Sequence, residues 1–337
     1  MDEMYDNSKR TSFFKKDVSL ETALSDLNEL IDGIECPIDT NESQSPIILI
    51  MGCPRSGSTL LLQWLAASGL FSYPSNLIAR FYKNPYLGIR TQQALLEFDP
   101  LNQLGFKETK LDFSSSLGKT YGALGPSEYW YYWRTFFKFE NDSQILSQNQ
   151  LAKVDGKKFI DQLLAFEQLT NKPLALKGML LNWHIPYLYS LNQKFIFINV
   201  NRDPLLNAQS LLMAREKFFG DRNKWYSFKP SEYKELKDES PITQVVGQVI
   251  YTRKAVSEGL SQIPMENIIN IEYTDFCSNP KKFLDALVYK FNKLGGNIES
   301  KNVDQDLLKP FDERKDIKLS DSEVKFLREE LIRLSNN

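Results

Sequence analysis

Residues 46–62 read PIILIMGCPRSGSTLLL. Ile47, Ile48, Leu49, Ile50 and Met51 form an unbroken apolar run rich in β-branched residues, the signature of a strand buried on both faces of a parallel sheet. Gly52 closes the run, and from Ser58 the order Leu60, Leu61, Leu62, Trp64, Leu65 suits a helix. A strand, a glycine-bounded turn and a helix start therefore follow one another. At such a junction backbone N–H groups and the positive end of the helix dipole hold a phosphate-like anion. Against the nucleotide-binding pattern GxxxxGK(S/T), Gly52, Gly57 and Thr59 fit, but Ser58 stands where the lysine belongs. The loop keeps its anion cradle and lacks the lysine that grips the β- and γ-phosphates of a nucleoside triphosphate. Arg55 is its only cation. The stretch predicts an anion-binding loop and argues against an ATPase.

The 337 residues around it, 42% apolar and 25% charged, suffice for a large α/β domain with an ordinary core. A net charge of −2 gives no global electrostatic reason to expect nucleic acid, although local basic grooves stay open. Cys36, Cys53 and Cys277 are an odd, widely spaced set, which suggests reduced thiols in a reducing, cytoplasmic setting. With one histidine besides, they argue against a metal centre. No window approaches 18 apolar residues, so no transmembrane segment is expected.

Residues 1–18 are polar and predict a mobile start; together with one amphipathic helix they make residues 1–45 an N-terminal extension before an α/β domain over 46–337. That helix places Leu20, Ala23, Leu24, Leu27, Leu30 and Ile31 on one stripe and closes at Gly33. Residues 36–46 look like a linker. After the loop helix, Asn76, Arg80 and Lys83 interleave with Phe81, Tyr82 and Tyr86, which reads most simply as an amphipathic connector with a solvated basic side. Residues 99–128, rich in Gly, Ser and Pro, predict a long loop or lid.

In the following segment, Tyr129, Trp130, Tyr131, Tyr132, Trp133, Phe136, Phe137 and Phe139 predict a helix packing aromatics into the core. Glu128 stands at the edge of that apolar wall, where a carboxylate can serve as a general base. KPLALKG suggests a short strand with Lys177 at its end, and His184 follows in a helix-like stretch. A lone histidine on an apolar face is more often a core residue than a catalyst. FIFINV is a second buried strand; after it Arg202 sits at the strand end, Asp203 caps a helix, Pro204 enters its first turn, and Ser210 lies two turns on. An arginine at the carboxyl end of a parallel strand is where α/β sheets bind ligands; the simpler reading pairs it with Asp203. IINIEY gives a further strand ending at Tyr273, with Asp275 or Ser278 opening the next helix, and Ser320 with Glu323 makes a capping box near the end. Strands alternating with helices predict one parallel-sheet α/β domain, its sheet flanked by helices and carrying long loop insertions.

Three motifs together resemble the sulfotransferases that use 3′-phosphoadenylyl sulfate (PAPS). PRSGSTLL (54–61) resembles the family's 5′-phosphosulfate loop, with Arg55 as the basic residue. NVNRDPLLNAQS (199–210) is similar to its 3′-phosphate segment, an arginine at a strand end and a serine eight positions on, here Arg202 and Ser210. IEYTDFCSNP (271–280) resembles the segment that lies near the adenine, with Tyr273 in the matching place. The resemblance implies a P-loop-like fold and a donor site of Pro54, Arg55, Ser56, Gly57, Ser58, Thr59, Arg202, Ser210 and Tyr273. It implies in-line transfer of a sulfuryl group to a hydroxyl or amine of a carbohydrate, lipid-linked glycan or small metabolite, with release of 3′,5′-ADP, no metal, and charge stabilisation by Arg55. Positioning and charge stabilisation are also what such a transfer asks of a protein.

The chain departs from the family where the base is concerned. Cytosolic members use a histidine base and tyrosylprotein members a glutamate, whose position would fall near Ser75 and Asn76; many bacterial members carry histidines after a KxP-like strand end, which here reads Lys177, Gly178, Met179, with His184 seven residues past Lys177. Resemblance to bacterial carbohydrate-type members in GPSEYWYYW and SNLIARF raises Glu128, Asn76 and Arg80. The base thus stays open between Glu128 and His184, and Asn76, Arg80 and Lys177 are acceptor-site candidates. Two other readings remain, a P-loop kinase whose displaced lysine is Lys177 and a nucleotide-binding module without turnover.

Overall fold

The structure is a computed structural model and describes residues 6–35, 37, 45–106, 111, 113–139, 143–313 and 315–336. Most of the expected linker, residues 36 and 38–44, lies outside the described residues, as does Cys36.

The decisive run is a strand, β1 (Ile47–Gly52), buried along its whole length. Two strands of a small hairpin, β2 (Ser115–Ser116) and β3 (Lys119–Thr120), come next in the chain. They are followed by β4 (Ala175–Lys177), β5 (Phe195–Asn201) and β6 (Ile268–Glu272). The main sheet has the order β4-β1-β5-β6, every pair parallel, with Ile48 opposite Ala175 on one side and Ile196 on the other. Alternation along β1 explains why its sequence is apolar throughout. Ile47, Leu49 and Met51 face a core that includes Phe159, Leu163 and Phe166 of the helix Gly156–Thr170. Ile48 and Ile50 face another built on Leu61, Trp64 and Leu65 of the helix Ser58–Ala67 and on Leu284 and Leu287 of the helix Pro280–Lys293. A third cluster joins Leu211 and Leu212 to Val245, Val249 and Leu327. It packs the helices Pro204–Phe219, Pro241–Leu260 and Asp321–Ser335 together. The result is the single α/β domain that the strand-helix alternation predicts.

Local expectations hold where the signal is a cap. Asp203 accepts from Leu206 N with Pro204 in the first turn, and Ser320 and Glu323 form a capping box. They fail in five places. Strand β6 ends at Glu272, and Tyr273–Ser278 is a short helix of its own. The next helix is capped by Asn279, whose side chain accepts from Lys282 N, in place of Asp275 or Ser278. Pro280 is the cause, because the residue before a proline is pushed out of helical geometry. The first long helix, Val18–Ile31, does not bury its leucine stripe: Leu30 is 79% exposed, and the side chains it buries are Asn28 and Ile31. Asn28 docks it by donating to Arg80 O and accepting from Lys83 N. Residues 6–17, read as a mobile start, lie along the helix Pro204–Phe219: Thr11 donates to Phe218 O and Lys217 O, and Phe14 packs on Phe218. Finally, the long loop over 99–128 contains the hairpin β2–β3, turning at Leu117 and Gly118, both with positive φ. Among the described residues no helix is long and apolar enough to cross a membrane.

Candidate active site

The loop after β1 turns through left-handed conformations at Arg55 (φ 67°) and Gly57 (φ 102°) before the helix begins at Ser58. At Gly57 glycine is demanded by a neighbour as well: a Cβ there would stand 2.1 Å from the Tyr273 ring. Side chains from two other elements clamp the loop's backbone. Asn182 accepts from Gly52 N and donates to Gly52 O, and Asn207 donates to Pro54 O at 2.7 Å. The loop's backbone is therefore anchored by residues from other parts of the chain. The first N–H groups of the Ser58 helix have no partners within it and point their dipole at the space beside Arg55. Ser56 is fully buried under the loop with its hydroxyl unpartnered.

Two guanidiniums meet at this turn. Arg55 Nε donates to Ser210 Oγ at 3.3 Å, and Arg202 Nη1 donates to Arg55 O at 3.2 Å. Arg202 also lies over the Tyr273 ring, 5.2 Å from its centroid. Burial pulls the Arg202 guanidinium below its ordinary pKa; Tyr273 opposes this and the neighbouring Arg55 charge adds to it. Burial likewise raises the Tyr273 hydroxyl to about 12, so it stays protonated. Two cations held this close at the carboxyl ends of β1 and β5 favour an anion between them.

On the other side of Arg55 the structure brings together residues far apart in sequence. Lys177 Nζ, 4% exposed at the end of β4, donates to Thr59 Oγ1 at 2.7 Å and to Glu128 Oε1 at 2.6 Å. Trp130 Nε1 donates to the second oxygen, Oε2, at 2.7 Å. Burial pushes the Glu128 carboxyl up, but the Lys177 ammonium, the indole N–H and Arg55 outweigh it and hold the group below the usual carboxylate range. Gly118, at the hairpin tip, lies so near that a Cβ would sit 2.5 Å from Glu128 Oε1.

Arg55, Thr59, Glu128, Lys177, Arg202, Ser210 and Tyr273 all line one cavity of about 670 Å³, a size that suits a nucleotide with room beside it. Four candidates do not line it, Ser56 because it is buried beneath the loop. His184 is buried elsewhere, its Nε2 accepting from Leu146 N, and burial lowers its pKa. Asn76 spends its amide on Thr120 Oγ1 and Gly122 O, holding the chain after the hairpin. Arg80 is exposed outside the cavity, near the first helix. The lining also includes residues that the sequence did not single out. Phe311, Asp316 and Lys318 come from the segment before the last helix, where Gln209 ties the chain down by donating to Asp316 O and accepting from Lys318 N. Phe113 stacks on Phe311 at 6.3 Å. No local pattern marks these residues, because each reaches the cavity through a contact distant in sequence.

Residues 46–292 match the profile described as "Sulfotransferase family". No sequence relative was found among curated proteins. Solved structures that superpose include the sulfotransferase STF9 from Mycobacterium avium, at 15% identity and TM-score 0.48, covering 89% of this chain and 77% of that one. They also include the sulfotransferase STF1 from Mycobacterium tuberculosis H37Rv, at 12% identity and TM-score 0.47, covering 94% and 81%. The sulfotransferase domain of the Synechococcus PCC 7002 olefin synthase matches at 14% identity and TM-score 0.40, covering 90% and 98%.

Proposed function

Since the chain belongs to the sulfotransferase family, we propose that it moves a sulfuryl group from PAPS to a hydroxyl by in-line displacement. The observation that carries this reading is the meeting of Arg55, Arg202 and Ser210 at the ends of β1 and β5 beside a helix start. One anionic group, the 5′-phosphosulfate, would lie on the N–H groups of Arg55, Gly57, Ser58 and Thr59, the Ser58 and Thr59 hydroxyls and the Arg55 guanidinium. A second would lie on Arg202 and Ser210, the place of the 3′-phosphate. Tyr273, packed on Gly57 and under Arg202, would flank the adenine.

The chemistry then follows from charge. The acceptor oxygen forms a bond to sulfur while the bond from sulfur to the bridging oxygen breaks, and that oxygen leaves with the electron pair as part of 3′,5′-ADP. Arg55 and Lys177 stabilise the charge that accumulates there. The acceptor's proton goes to Glu128, which we assign as base over His184 because Glu128 lines the cavity and His184 does not. Glu128 would become more basic as Lys177 turns from it toward the bound anion.

A nucleotide kinase has one observation in its favour, the 2.7 Å contact of Lys177 with Thr59. Binding in EDTA separates the two readings. We expect wild-type protein to be retained on immobilised 3′,5′-ADP without magnesium, and Arg202→Ala to pass through. Indifference to 3′,5′-ADP combined with tight, magnesium-dependent ATP binding would sink the proposal.

A further inference from the structure

Arg55 divides the cavity. The nucleotide side carries Arg202, Ser210, Gln209 and Lys318; beyond Lys177 and Glu128 the wall changes character, to Trp130, Trp133, Met179, Leu180, Tyr226 and Phe228. This wall is fixed in place. Trp130 stacks on Phe228 with centroids 5.8 Å apart and planes 17° from parallel, and Trp183 backs Phe228 edge-on. The polar ends of two of these side chains are already engaged: Trp130 Nε1 by Glu128, and the Tyr226 hydroxyl by Leu117 O at 3.3 Å. Glu128 and Lys177 occupy each other. Ser116 also lines the cavity and is buried with its hydroxyl unpartnered, as is the Trp133 Nε1–H, so the wall offers places for only a few further polar atoms.

Of the planar polar side chains that could ring a sugar's hydroxyls, Asn76 is occupied by Thr120 Oγ1 and Gly122 O and Arg80 lies outside the cavity; those that line it include Gln63, which donates to Ser114 O, and Gln209, which is tied to Asp316 and Lys318. A polyhydroxylated acceptor would bury hydroxyls against Met179, Leu180 and Phe228, each unmet one weakening binding by about tenfold or more. An apolar body in the same place gains by leaving water.

Resting on the sulfotransferase reading above, we propose that the acceptor is an aryl or alkyl alcohol, one hydroxyl carried on an apolar carbon body. That hydroxyl points at Glu128. Its oxygen bonds to sulfur, its proton passes to the Glu128 carboxylate, and the bridging electron pair leaves on 3′,5′-ADP; the product is the sulfate monoester of the alcohol.

The test gives the protein PAPS with 2-naphthol, 1-decanol or N-acetylglucosamine, follows sulfate esters by mass spectrometry, and measures 3′,5′-ADP affinity in parallel. We expect kcat/KM for at least one of the two apolar alcohols to exceed that for the sugar by 100-fold or more. Met179→Gln should raise the KM of that alcohol about tenfold with the affinity for 3′,5′-ADP intact. A sugar used as well as both alcohols, or donor binding with neither apolar alcohol sulfated, overturns the acceptor assignment and leaves the donor reading standing. An unchanged KM in Met179→Gln also counts against it. Failure of wild-type protein to bind 3′,5′-ADP would instead overturn the donor reading on which the assignment rests.

Discussion

Lys177 connects the two halves of the cavity, one hydrogen bond to Thr59 on the anion loop and one to Glu128 on the acceptor side. Whatever anion binds the loop draws on the same ammonium, so donor binding and the basicity of Glu128 are linked through one side chain. If Glu128 is the base, Glu128→Gln at saturating donor should lower turnover about 10²–10⁴-fold, and His184→Gln should stay within a few-fold of wild type. The reverse order would transfer the role to His184. The same variant has a signature in stability. Because the Glu128 carboxyl is held below its ordinary value of 4.5, its ion pair stabilises the fold fully above that pH, and the contribution is lost as pH falls through the lowered folded value. Glu128→Gln should therefore melt below wild type at pH 7, where it leaves Lys177 buried without its carboxylate, and the gap should close in more acidic buffer. A gap independent of pH would contradict the pairing. None of this could be read locally, since Glu128 and Lys177 lie 49 positions apart in sequence.

At the scale of elements, the sequence was most legible where one physical cause acted alone. β1 is apolar up to Gly52, and β5 is apolar except at Asn199 and Asn201, because helices cover both faces. The break at Asn279 was misread because two caps compete within a few residues and the proline decides. The first helix was misread because its leucines suggested a core face while the contact that docks it is the polar side chain of Asn28. The hairpin tip is invisible to periodicity; it is set by positive φ at Leu117 and Gly118 and by Glu128 pressing on Gly118. These readings predict unequal costs. Leu61, 0% exposed between β1 and its helix, should lose roughly 2–5 kcal/mol on truncation to alanine. Asn279→Ala removes a cap worth about 1 kcal/mol. Urea unfolding that found the two equal would mean that the cap holds more than its own helix.

On the scale of the whole molecule, β1 has β4 on one side and β5 on the other, so the chain reverses direction across the sheet at β1. Ligands of open α/β sheets bind outside the carboxyl ends of strands at such a reversal; Lys177 ends β4, and Arg55 and Arg202 follow the ends of β1 and β5. The residues proposed for the donor could be picked out because each of their motifs is contiguous with a strand end. Those proposed for the acceptor could not, because they come from the hairpin, the helix Trp130–Phe136 and the turn after β4, while Asn76 holds the chain after the hairpin and Arg80 faces solvent. The central claim is that two phosphate sites flank Arg55. Calorimetric titration of wild type and Arg202→Ala with 3′,5′-ADP and with 5′-AMP tests it most directly. Wild type should bind 3′,5′-ADP at least tenfold more tightly than 5′-AMP, with Arg202→Ala binding the two alike; equal affinities in wild type, or a preference that survives loss of Arg202, would contradict the account.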